Sequence, residues 1–200
     1  MSRPRKILVW AGVAAALIVP FALAAMSPYL AWRGPAYIVA GFAGIIAMGL
    51  LFLQPLLAGG YLPDLAGPRG RRVHRWGGAC LVAAVVVHVA GLWITSAPDV
   101  YDALLFRSPT PFSDWGVIAM WAVFAAALLA AYRRRLSLRP QTWRLAHTLL
   151  VAVVVVGSVV HALLIEGTME TYSKIILCGM VIIVLVKAVL DLRVWAGRNH

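Results

Sequence analysis

Six apolar segments constrain this chain more than any other feature. They run roughly over 7–27, 36–58, 73–95, 114–132, 143–165 and 172–195. A helix rises about 1.5 Å per residue, so about 20 apolar residues cross the hydrocarbon core of a bilayer. Each segment meets that length. Composition agrees: 62% of the 200 residues are hydrophobic and 12% are charged, whereas soluble domains are roughly 45–50% apolar. The expected fold is an all-α integral membrane protein. It is a six-transmembrane-helix bundle forming a single domain over 1–200, with no separate soluble domain.

Proline- and glycine-rich stretches separate the segments, as suits helix breaks. The longest link, about 96–113, contains "DVYDALLF", which reads as a short surface helix. The formal charge of +11 invites a nucleic-acid reading, but its distribution follows membrane topology. With the N-terminus in the cytoplasm, the inner side carries Arg3, Arg5, Lys6, Arg69, Arg71, Arg72, Arg75, Arg133, Arg134, Arg135, Arg139, Arg144, Lys187, Arg193 and Arg198. The outer side carries only Arg33, Arg107 and Lys174, a split of 15 against 3. This positive-inside bias puts both termini in the cytoplasm, with the chain in a bacterial-type cytoplasmic membrane. The first segment has a second reading. "MSRPRK", the apolar run, Pro20 and "ALAAM" also resemble a cleavable signal peptide. The run is long for one, and a retained helix is expected.

Two of these segments contain matched histidines. His74 and His88 stand fourteen residues apart, and so do His147 and His161. Fourteen steps of about 100° bring each pair back to nearly one helix face, about 21 Å apart along the axis. The two segments are the third and fifth spans and run parallel. His74 is therefore level with His147 near the inner side, and His88 with His161 near the outer side. Two imidazoles facing one another at one depth suit the axial positions of a heme iron, and filling both favours electron transfer. The expectation is two hemes between the third and fifth helices, one near each face. A zinc-type site fits poorly, because each layer lacks a third or fourth ligand.

Gly77, Gly78, Gly91 and Gly157 lie three or four residues from a histidine and are expected to let a porphyrin edge approach the backbone. His147 lacks such a neighbour and has Trp143 instead, which is expected to pack on the ring edge. Arg71, Arg72, Arg75 and Arg144 flank the inner histidines, and arginine pairs well with the carboxylates of heme propionates. Topology alone also explains arginines on that side.

These pairs, on the third and fifth of six spans, resemble the ferric-reductase-like transmembrane family. It includes the NADPH oxidases, the yeast ferric reductases and the membrane subunit of a bacterial periplasmic methionine sulfoxide reductase. The resemblance extends from about "GPRGRRVHRWGG" to "HALLIEGTMETYSK". It implies that His74 and His147 ligate an inner b-type heme and His88 and His161 an outer one. It also implies electron transfer from the cytoplasmic side, or from quinol, to an acceptor outside. The oxidases and yeast reductases carry a flavin and nicotinamide domain after the last helix, and here only a few residues follow "VLDLRVWAG". The expected donor is therefore a separate flavoprotein, a quinol, or a flavin (FMN) held at the surface. The acceptor is a periplasmic protein or metal.

The remaining residues read more plainly. Cys80 and Cys178 form no CxxC motif and are expected to be buried, inert thiols. Asp99, Asp102, Asp114, Glu166 and Glu170 read as solvated outer-loop charges. Trp32, Trp93, Trp115 and Tyr172 sit near span ends as interface anchors. Trp121 and Phe124 read as packing residues, with a place between the hemes as their other use. His200 reads as solvated. Two other functions stay open: a diheme ascorbate- or quinol-linked cytochrome of another helix arrangement, and a non-redox membrane scaffold or metal carrier.

Overall fold

Proline opens nearly every helix of this protein. The computed structural model describes residues 2–192. Seven α-helices occur among them: α1 (Arg3–Ala25), α2 (Pro35–Ala58), α3 (Gly67–Thr95), α4 (Ala97–Leu104), α5 (Pro111–Ala131), α6 (Pro140–Leu164) and α7 (Thr171–Asp191). All but α7 have proline in the first or second helical position. There its fixed φ suits the helix and its missing N–H costs nothing. The start of α7 is capped instead by Glu170, whose carboxylate accepts from the amides of Ser173 (2.7 Å) and Tyr172 (2.8 Å). Those two amides hold the Glu170 carboxyl below the usual carboxylate range. Glu170 is thus a cap rather than a free loop charge.

Six of these helices are long and apolar enough to span a membrane, and α4 is the short helix expected in the longest link. The chain is an all-helical, multi-pass membrane protein. Helices α3, α5 and α6 begin about three to six residues earlier than their apolar runs. Their first turns carry charge, basic in α3 and α6 and acidic at Asp114 in α5, and such turns extend a helix beyond the hydrocarbon without adding hydropathy. The end of the sixth segment, with Arg193, and the residues after it, with Arg198 and His200, lie outside the described residues.

The bundle is built from two close pairs, α2 with α3 and α5 with α6, joined by α7. Helix α1 lies on the periphery against α2 and α7, burying Val13, Ala16, Pro20 and Ala24. One core runs through the bundle and includes Phe52, Leu81, Val123, Val155, Leu177 and Val181. Large apolar side chains such as Ile18, Val86, Leu149 and Ile183 point outward, as lipid contact requires. Cys178 is buried as expected, but Cys80 is exposed on the outer face of α3. Among the described residues no helix packs on that face, and its side chains, Trp76 included, are exposed.

Polar ties fix one end of the bundle. Lys6 pairs with Asp64 (2.8 Å), bringing the start of α1 to the α2–α3 connection. The Tyr61 hydroxyl donates to Asp191 Oδ2 (2.6 Å), and Lys187 donates to the same oxygen (2.8 Å). The start of α1, the start of α3 and the end of α7 therefore share one end, as the basic residues suggested. At the far end Lys174 is almost fully buried and donates to the Ile165 carbonyl (2.6 Å).

Partial burial and the Asp191 carboxylate push the Tyr61 phenol from 10.0 up to about 12. A raised phenol means that folding favours the neutral form. The contribution is whole below the unfolded value and is lost as pH rises through about 12. Alkaline titration of tyrosinate absorbance in detergent should show a late-ionising tyrosine that Tyr61→Phe removes. Identical late limbs in the two proteins would contradict the tie.

Candidate functional site: two layers of facing histidines

Helices α3 and α6 carry the four histidines, and each helix is backed by its own partner, α2 or α5. The His88 and His161 rings face one another with centroids 6.3 Å apart and planes at 86°. His74 and His147 form the second layer, near enough for the charge of one to act on the other. All four rings are partly buried. His88 and His161, which spacing puts at one depth, are neighbours in space.

The outer layer is held by a device that occurs twice. His88 Nδ1 lies 2.7 Å from the Ala40 carbonyl of α2, and His161 Nδ1 lies 2.7 Å from the Phe112 carbonyl of α5. A carbonyl only accepts, so each Nδ1 carries the proton and each Nε2 keeps its lone pair. A helical carbonyl is normally shielded by the residue four positions on. Here those residues are Gly44 and Gly116. A Cβ on Gly44 would stand 3.1 Å from His88 Nδ1, and one on Gly116 would stand 2.7 Å from His161 Nδ1. Each glycine opens a notch through which the imidazole reaches the backbone.

The inner layer is built differently. His74 Nδ1 is 3.2 Å from the Gln54 backbone carbonyl. The Gln54 carboxamide is buried beside it, with its oxygen toward the Gly78 amide (2.9 Å) and its nitrogen 2.6 Å from His74 Nδ1. His147 Nδ1 is buried and makes no hydrogen bond among the described residues. Its ring stacks on Trp143 at 5.1 Å and 7°.

The glycines expected beside a porphyrin mostly do other work. A Cβ on Gly77 would meet the end of the Gln54 carboxamide at 2.6 Å. One on Gly91 would meet the Ala36 carbonyl and Ala40 Cβ at 2.9 Å, and one on Gly157 the Trp115 carbonyl and Ala119 Cβ at 3.0 Å. Gly91 and Gly157 let α3 approach α2 and α6 approach α5, as small residues do between membrane helices. Gly78 alone has open space around it. Trp143 likewise packs on an imidazole face. Trp121 is 57% exposed and lies edge-on to Phe124, so it points away from the space between the layers. Asp114 is no solvated loop charge either, because its Oδ1 is buried in the first turn of α5.

Leu81 stands midway between His74 and His88, and Val154 midway between His147 and His161. Seven steps return to nearly the same helix face. Both residues are buried in the common core, so an apolar layer separates the two histidine layers. Arg71 and Arg144 each precede an inner histidine by three residues and share its face. Arg71, Arg72 and Arg75 are exposed, whereas Arg144 is half-buried and its Nε is buried without a hydrogen-bond partner among the described residues.

Fold and site together define a helical membrane protein with facing imidazoles at two depths. The family of ferric reductase like transmembrane components matches residues 40–158. That is more than half of the chain, and the protein belongs to this family. The match takes in Gly44, His74, His88, Gly116 and His147 and ends three residues before His161. No curated protein and no solved structure matches the chain.

If Gly157 serves helix packing, a methyl there should wedge α6 off α5. Gly157→Ala should lower stability by about 1–3 kcal/mol, measured by thermal unfolding in detergent. Gly179, with nothing within 4 Å of its Cβ position, is the control. Gly179→Ala should leave stability unchanged or raise it by up to about 1 kcal/mol.

Proposed function

We propose that this membrane electron-transfer component is a diheme b-type cytochrome. His88 and His161 would hold one heme, and His74 and His147 the other. The observation that carries the reading is the 6.3 Å separation of the His88 and His161 rings. Two imidazole nitrogens at about 2.0–2.1 Å from a shared metal place the ring centroids roughly 6.2 Å apart. Both Nδ1 atoms of that pair are engaged at 2.7 Å, which leaves the ligating Nε2 atoms free. At the inner layer the support comes from the buried Arg144 Nε and His147 Nδ1, which have no hydrogen-bond partner among the described residues. An anionic cofactor edge suits the first. A zinc-type carrier is disfavoured, since no group of three His, Cys, Asp or Glu occurs among the described residues.

The two hemes supply one-electron centres, and the protein supplies ligands, spacing and dielectric. The Ala40 and Phe112 carbonyls hold the outer imidazoles in the ligating tautomer and raise their basicity. Gly44 and Gly116 make those carbonyls reachable. Arg144, with Arg71, Arg72 and Arg75, offers charge-assisted bonds to propionate carboxylates at the inner side. Leu81, Val154 and their core neighbours exclude water between the layers. The basic end of the bundle faces the cytoplasm by the positive-inside rule. Electrons would enter there from a quinol, FMN or a flavoprotein and leave outside to a periplasmic protein or metal.

His88→Ala should halve the heme-to-protein ratio of detergent-purified protein and remove one component from a redox titration. An unchanged two-component titration would rule out the outer assignment. Gly44→Ala and Gly116→Ala leave every ligand in place but displace an imidazole from its carbonyl. Each should weaken outer-heme retention by about tenfold or more, read by heme loss to apomyoglobin, with the inner heme unaffected.

A further inference from the structure

Three of the four histidines point Nδ1 at a backbone carbonyl, on Gln54, Ala40 or Phe112. His147 does not, and its Nδ1 is buried with no hydrogen-bond partner among the described residues. Nothing polar therefore sets the plane of its ring. The outer torsion of an imidazole is broad, so a histidine without an anchor samples many ring planes.

Trp143 supplies another restraint. It lies one helical turn before His147, and the two rings are parallel within 7° at a centroid distance of 5.1 Å. The indole is itself tied down. Its Nε1 donates to the Leu129 carbonyl of α5 (3.2 Å), and the Arg133 guanidinium lies 4.4 Å from its ring. A plate held by a hydrogen bond across to α5 and by a cation–π contact cannot easily rotate. A ring stacked on it inherits that orientation.

We infer that Trp143 is the positioning residue for His147 and sets its imidazole plane by stacking, where the outer histidines use a carbonyl notch. This rests on the proposal that His147 is an axial ligand. The two layers then differ in kind. The outer ligands are made more basic by their carbonyl partners, and His147 is not. The inner centre carries the weaker donor set, because His147 is held by π-contact while His74 keeps its Gln54 contacts.

Low-temperature electron paramagnetic resonance of the oxidised, heme-loaded full chain tests this, because the largest g value of a low-spin heme depends on the angle between its axial imidazole planes. His147→Ala first identifies the inner signal by removing it. Trp143→Leu should shift or broaden that same signal and lower inner-heme affinity by about tenfold, with the outer signal as in the parent. Trp143→Phe, which keeps a flat face but loses the bond to Leu129, should recover most of the parent signal. Arg133→Gln, at the surface, should broaden the inner signal slightly and covers the case in which Trp143→Leu does not fold. If His147→Ala removes a signal but the Trp143 and Arg133 variants leave it unmoved, or if they disturb both signals alike, the positioning role is overturned. If His147→Ala leaves both signals intact, the ligand assignment itself fails, and this inference falls with it.

Discussion

An imidazole inside a membrane needs a partner for its ring N–H, and much of this architecture follows from where that partner lies. In a helical bundle every backbone carbonyl is already engaged in its own helix. Only a second lone pair is on offer, and a side chain one turn further along usually covers it. Glycine four residues after the carbonyl removes the cover. Ala40 with Gly44 and Phe112 with Gly116 repeat this arrangement on α2 and α5. The close packing of α2 on α3 and of α5 on α6, made possible at Gly91 and Gly157, delivers His88 and His161 to those notches. Helix packing and histidine orientation are thus one problem with one solution, used twice.

The same solution is not extended to the other layer. There a buried glutamine, a stacked tryptophan and a half-buried arginine surround the rings. The inner end also lies beside the basic turns of α3 and of the α5–α6 connection, where charge and water are near. Hydrogen bonds gain strength in a dry, low-dielectric site and less at a wet margin. Firm carbonyl anchors at the outer pair and mixed contacts at the inner pair give the two layers different surroundings. In the proposed function that difference is what would distinguish two chemically identical hemes. Between the layers, Leu81 and Val154 are part of the apolar core.

Membership of the ferric reductase like transmembrane family agrees with the reading built from four histidines. Much of the fold was legible as well. Proline at helix starts marked the breaks, and "DVYDALLF" became α4. The roles of individual small and polar residues were not legible. Gly91 and Gly157 share the histidine face by spacing, yet they serve packing against α2 and α5. Gly44 and Gly116 stand on helices without histidines and are not marked by the histidine spacing, although a Cβ added at either would meet an imidazole nitrogen at 3.1 Å or 2.7 Å. The one local signal was a glycine on a facing span at the depth of a histidine, and that depth is not readable before the helices are paired. Cys80, Asp114 and Trp121 show the same limit, since hydropathy places a residue in a span without saying which way it points.

What the chain's order of residues determined is whatever helical periodicity carries: six spans, the side on which charge collects, and two histidines returning to one face after fourteen residues. Those follow from local geometry, which is the same in any bundle. Tertiary structure alone decided which atoms complete the imidazoles. The partner carbonyls lie 48 and 49 residues away in sequence, on other helices. No repeat within a single helix encodes a contact between two, because the rotation and depth at which helices meet are settled by side-chain packing over the whole bundle.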